Sequence, residues 1–113
     1  MKMELIDMKP VAVGISNLAD TVKMMNSADY KERFKAEYYQ TKCRYEKLKA
    51  FNNKIEAAYR TRYTGPYEEP RDLQTIEPPK HDCPYELLRD QQEAMGRYLH
   101  ILELRAVIEG IEL

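Results

Sequence analysis

The chain has 113 residues, with 18 Lys/Arg against 19 Asp/Glu and a net charge of −1. One domain of ordinary size fits that length, and the even charge argues against a general nucleic-acid binder, which carries a basic excess. Two cysteines are too few for a disulfide scaffold, and the early apolar run "VAVGI" is too short for a signal peptide or a membrane span, so a cytoplasmic protein is expected.

Residues 1–15 hold "ELIDMKPVAVGI", opened by Pro10 and closed by Gly14, which predicts a short edge strand or extended arm. "SNLADTVKMM" then predicts two turns of helix, with Ser16 or Asn17 as N-cap and Asp20 in the first turn. Met24 or Met25 could serve as an alternative start, which would make residues 1–25 an accessory to the core.

From Ser27 to Arg62 there is neither Gly nor Pro. Tyr30, Phe34, Tyr38, Thr41, Tyr45, Leu48, Asn52, Ile55 and Tyr59 recur at steps of three or four, the pattern of one helix with one seam. Tyr39 falls on the opposite face, where it would be open to a ligand. A Pro-rich crossover follows over 63–82. "DCPYELL" starts a second helix, with Asp82 or Cys83 capping and Pro84 at its first position, and Gly110 ends it. Its apolar residues span roughly half the circumference, more than the ~100° stripe that packs one neighbour. The expected fold is therefore mainly α: an arm and short helix over 1–25, then a long antiparallel hairpin over 26–113. The hairpin comprises helix 27–62, crossover 63–82 and helix 83–110, and oligomerises, as a dimer or higher, through its spare apolar face.

Residues 28–62 carry ten Lys/Arg against five Asp/Glu, whereas 63–113 carry five against eleven, so the two halves attract each other. Arg33, Arg44 and Arg62 border the first helix's seam. They either pair with Glu93, Glu103 or Glu109 of the facing helix or clamp a phosphate between chains. "YRTRYTGPY" interleaves Arg60 and Arg62 with Tyr59, Tyr63 and Tyr67, and that inventory suits an anionic, base-bearing ligand. It also suits an ordinary helix end whose cations complement the dipole. "HDC" at 81–83 has no metal-ligand spacing, and two histidines and two cysteines build no catalytic arrangement. No cofactor, no metal and no enzymatic activity are expected.

"DYKERFKAEYYQTKCRYEKLKAF" and "CPYELLRDQQEAMGRYLHILELRAVIEGIEL" together resemble a family of small proteins of tailed phages and prophages related to a crAss-like phage protein. The matching features are Tyr30-Lys31-x-Arg33, Arg44-Tyr45-x-x-Leu48, and "LLRDQQEAM" followed by "YLHILELRA", over roughly residues 26–62 and 83–113. More loosely, the hairpin is similar to phage anti-CBASS and anti-Thoeris sponges, oligomers that sequester nucleotide-derived immune signals without cleaving them. The resemblance implies a phage accessory protein in the cytoplasm of an infected bacterium. Its partner would be a nucleotide-derived small molecule held between chains, or alternatively a host protein that the phage inhibits or adapts.

Overall fold

The computed structural model describes residues 18–62 and 76–113. The expected arm and the crossover up to residue 75 lie outside the described residues. The regular elements among the described residues are three helices, α1 at Leu18–Met25, α2 at Tyr30–Arg62 and α3 at Tyr85–Glu109. α2 is the middle element: α1 packs on one side of it and α3 runs antiparallel along another.

Capping sets where each helix begins and ends. α2 starts at Tyr30, later than expected, because Asp29 is its N-cap. The Asp29 carboxylate accepts the Lys31 amide at 3.0 Å, and its carbonyl takes the Arg33 amide at 3.1 Å. Ser27 supports this turn by accepting the Asp29 amide on its hydroxyl, 3.0 Å. α3 starts without a side-chain cap. Pro84 stands just before it at φ −58° and ψ 144°, and its carbonyl accepts the Leu88 amide. The expected caps, Asp82 and Cys83, make no such bond; the His81 ring instead lies 2.8 Å from the Cys83 carbonyl. Gly110 ends α3 in the left-handed region, φ 71°, where a side chain is strained. The turn sends Ile111 back over the helix end, its amide bonded to the Ala106 carbonyl at 2.8 Å.

Ile111 thereby closes the core of Phe34, Tyr38, Leu99, Leu102 and Ala106, with Tyr39 and Tyr45 packed against it. The Arg105 guanidinium lies 5.0 Å from the Phe34 ring centre and covers that end. Phe34, Tyr38, Asn52 and Ile55 are buried along the expected seam of α2. The seam opens at both ends, however: Tyr30 is 47% and Tyr59 62% exposed.

A second buried face of α2 was not anticipated. Ala36, about 200° around the helix from Phe34, is fully buried, as is Thr21 of α1. Tyr39, packed against the core, departs from expectation. It is half-buried rather than free, edge-on to Tyr38 at 5.0 Å, and burial raises its phenol pKa. A small residue at 36 allows the helices to approach closely, which amphipathic periodicity does not reveal.

Polar pairs cross the α2–α3 seam in strict antiparallel order. Tyr30 donates to Glu109 at 2.9 Å, Tyr38 to Glu103 at 2.6 Å, Asn52 to Gln92 at 2.8 Å, and Tyr85 to Glu56 at 3.4 Å. The acids facing α2 are thus engaged by tyrosines. Glu109 also accepts Arg105 and Glu93 faces Arg89, both within α3. The pairing of Arg33, Arg44 or Arg62 with Glu93, Glu103 or Glu109 is replaced by these contacts. Burial, with the bond to Glu103, pushes the Tyr38 phenol far above its usual range. The bonds from Tyr30 and Arg105 hold the Glu109 carboxyl below its own.

Two stability measurements follow from this packing. Phe34→Ala empties a buried aromatic site and should cost about 3–5 kcal/mol, whereas exposed Lys47→Ala should stay within about 0.5 kcal/mol. Equal denaturation midpoints would contradict the core assignment. At Gly96, an added Cβ would meet Tyr45 at 3.4 Å, ordinary contact, within a helix where Gly costs about 1 kcal/mol relative to Ala. Gly96→Ala should therefore raise the melting temperature, and a loss would mean that Tyr45 cannot give way.

Candidate functional site

The antiparallel register brings the last turns of α2 beside the first turn of α3. There Glu56, Tyr59 and Arg60 meet Tyr85 and Arg89 around an open groove of about 500 Å³. Tyr85 and Arg89 are four residues apart, so helical geometry stacks them: the guanidinium lies 5.8 Å from the ring centre and donates to the phenol at 3.2 Å. The phenol donates to one Glu56 oxygen, and the other accepts Arg60 Nε at 2.7 Å. A continuous chain of hydrogen bonds therefore joins two cations through a phenol and a carboxylate.

That chain polarises its members. The bond from Arg60, followed by its charge, lowers the Glu56 carboxyl pKa, and the Tyr85 hydroxyl adds to the effect. The bond to Tyr85 raises the Arg89 guanidinium. Both arginines keep much of their surface open, 76% for the Arg60 side chain and 44% for Arg89. Tyr59 stands beside them largely exposed. Two guanidiniums supply forked donors for a phosphate or carboxylate, and two rings supply faces for a base.

Arg62 is two residues from Arg60 and so points about 200° away. It joins a separate recess of about 150 Å³, lined by Ile55, Ala58, Tyr59, Pro78 and His81, and its guanidinium reaches Glu77 at 3.1 Å. Tyr59 lines both recesses, but the two arginines of "YRTRY" do not converge. Tyr63 and Tyr67 lie outside the described residues. Arg44 borders a third recess of about 340 Å³ with Thr41, Leu48, Gln91 and Met95. It is 16 residues from Arg60, about 24 Å along the helix. Arg33 is farther still and donates to the Ser27 carbonyl at 2.8 Å, beside the helix cap. Within one chain, then, the arginines named from the sequence occupy four places.

Tyr85, Arg89 and Glu56 were missed by sequence reasoning. The signal that could have found them was the Tyr85–Arg89 spacing, read together with an antiparallel partner ending in Tyr59 and Arg60. Among the described residues no group of three or more His, Cys, Asp or Glu is placed to hold a metal ion, and no helix is long and apolar enough to cross a membrane.

No curated protein and no solved structure matches the chain. The family model of the Sequestins does, over residues 28–75 and 76–108. Those segments take in α2, nearly all of α3 and every residue that lines the groove. The family name points to sequestration, and an open, two-arginine groove is compatible with holding an anion. The match covers well over half of the sequence, and the chain belongs to the Sequestin family.

Proposed function

We propose that this protein sequesters a nucleotide-derived immune signal, a cyclic or modified nucleotide, as a non-enzymatic accessory protein of a phage acting in the cytoplasm of its bacterial host. Two arginines and two tyrosines from different helices meet in one open groove, and this observation carries the reading. Arg60 and Arg89 grip phosphate oxygens through charge-assisted bonds, and Tyr59 or Tyr85 stacks on a base. Glu56 has a distinct part. It holds Arg60 and Tyr85 in place before the ligand arrives, and its negative charge competes with the ligand's phosphates for Arg60. The protein acts as a homo-oligomer. The groove is lined by no serine, threonine, cysteine or histidine, and the Glu56 carboxylate is taken up by Arg60 and Tyr85, so the ligand is held unchanged.

Titration calorimetry against cyclic dinucleotides and cyclic ADP-ribose derivatives tests the proposal. One of them should bind tightly and raise the melting temperature, because a ligand of the folded state stabilises it. Arg60→Ala and Arg89→Ala should each weaken that binding about ten- to hundredfold. Their own melting temperatures should barely change, because both arginines are exposed. Arg62→Ala, in the other recess, should have little effect. Glu56→Gln should tighten binding several-fold by freeing Arg60. Absence of binding across the panel would transfer the function to a host-protein partner.

A further inference from the structure

α3 packs on α2 through only one of its sides. Leu99, Leu102 and Ala106 are buried there, with Asn52 of α2 reaching the Leu88 carbonyl and Gln92. On another side, about 125° around the helix, Leu87, Ile101 and Ile108 are exposed by 54%, 47% and 82%, with Tyr98 beside them at 39%. Nothing among the described residues covers this face. Leu87, Ala94, Ile101 and Ile108 occupy every seventh position. Such a repeat keeps one apolar line facing a second helix when the two supercoil. Asp90 and Arg97, both exposed, flank one edge of the line; Gln91 and Tyr98 flank the other.

We propose that this face pairs with the same face of a second copy, antiparallel, with Ala94 at the two-fold axis. This gives a specific arrangement to the self-association proposed above and does not depend on the ligand. Charge selects the arrangement. Parallel pairing sets Asp90 beside the partner's Gln91 and Arg97 beside the partner's Tyr98, so neither charge is matched. An antiparallel pairing of Leu87 with the partner's Ile108 brings Arg97 against the partner's Arg97. Sliding by one heptad sets Leu87 on the partner's Ile101 and Asp90 on the partner's Arg97, twice by symmetry. Ala94 then meets the partner's Ala94, where small side chains let the helices approach closely.

The groove stays open in this dimer. Tyr85 and Arg89 are each two residues from Leu87, about 200° around α3, so the site faces away from the interface. On the Gln91 edge, the partner's Tyr98 comes beside the recess that holds Arg44 and adds an aromatic wall to it.

Sedimentation equilibrium of the ligand-free protein tests the pairing. The wild type should sediment as a dimer at micromolar concentration. Asp90→Arg and Arg97→Asp should each raise the dissociation constant about tenfold or more, because each replaces two attractions by two repulsions. The double exchange should restore an affinity close to wild type. In a Cys43→Ser/Cys83→Ser background, Leu87→Cys and Ile101→Cys chains should cross-link to each other when mixed and oxidised, and neither should cross-link alone. A monomeric wild type, an exchange that fails to restore affinity, or self-linking of each cysteine variant would overturn the arrangement. Failure of nucleotide binding would leave all these readings unchanged, so the two proposals stand or fall separately.

Discussion

Asn52 sits on the α2–α3 seam toward its crossover end, 1% exposed, with its amide nitrogen donating to the Leu88 carbonyl at 3.2 Å and to Gln92 at 2.8 Å. Its side-chain oxygen is buried without a hydrogen-bond partner among the described residues. A buried polar group costs free energy unless it is bonded, so α2 and α3 favour the one alignment in which Asn52 meets both acceptors. Tyr38 and Glu103 add a second fixed point on the same seam. Sliding α3 by one turn would break both contacts. It would also separate Tyr85 and Arg89 from Glu56 and Arg60, which share no chain neighbourhood and meet only through this register. The groove is thus a consequence of polar contacts buried in the seam, one of them a single helical turn from Glu56 and the other farther along the hairpin.

Much of the hairpin could be read in the sequence because helical periodicity is local. The absence of Gly and Pro from Ser27 to Arg62, and the turn chemistry at Gly110, bounded α2 and α3 closely. The seam positions Phe34, Tyr38, Asn52 and Ile55 followed from spacing alone. Less visible was anything that depended on a third element. Ala36 is buried on the side of α2 away from α3, and Tyr39 is half-buried against the core, whereas a single wheel assigns both positions to solvent. Charge patterns were legible as an attraction between halves, but not as particular pairs. Glu93, Glu103 and Glu109 of α3 meet tyrosine hydroxyls or arginines of their own helix, and simple sign-matching gives hydroxyls no weight.

The site was half legible for the same reason. Tyr59 and Arg60 stood out because they are adjacent in sequence, and Arg62 stood out with them although helical geometry turns it away. Tyr85 and Arg89 looked like parts of a helix start. Proximity in space, rather than proximity in sequence, decides which cations can act on one anion. The division also explains why a groove of this kind suits retention. Its exposed guanidiniums are already held in orientation by Glu56 and Tyr85, which lowers the ordering cost of binding. Its phenols are stacking surfaces with one donor each, and no histidine or cysteine lines it.

The central claim is that the protein holds a nucleotide-derived anion without changing it. The most direct test is native mass spectrometry of the protein incubated with its tightest-binding nucleotide, followed by heat denaturation and chromatography of the released small molecule. The account predicts a complex whose added mass equals the intact nucleotide, and a released compound identical to the one supplied. A cleaved or otherwise altered product would contradict it and make the protein an enzyme.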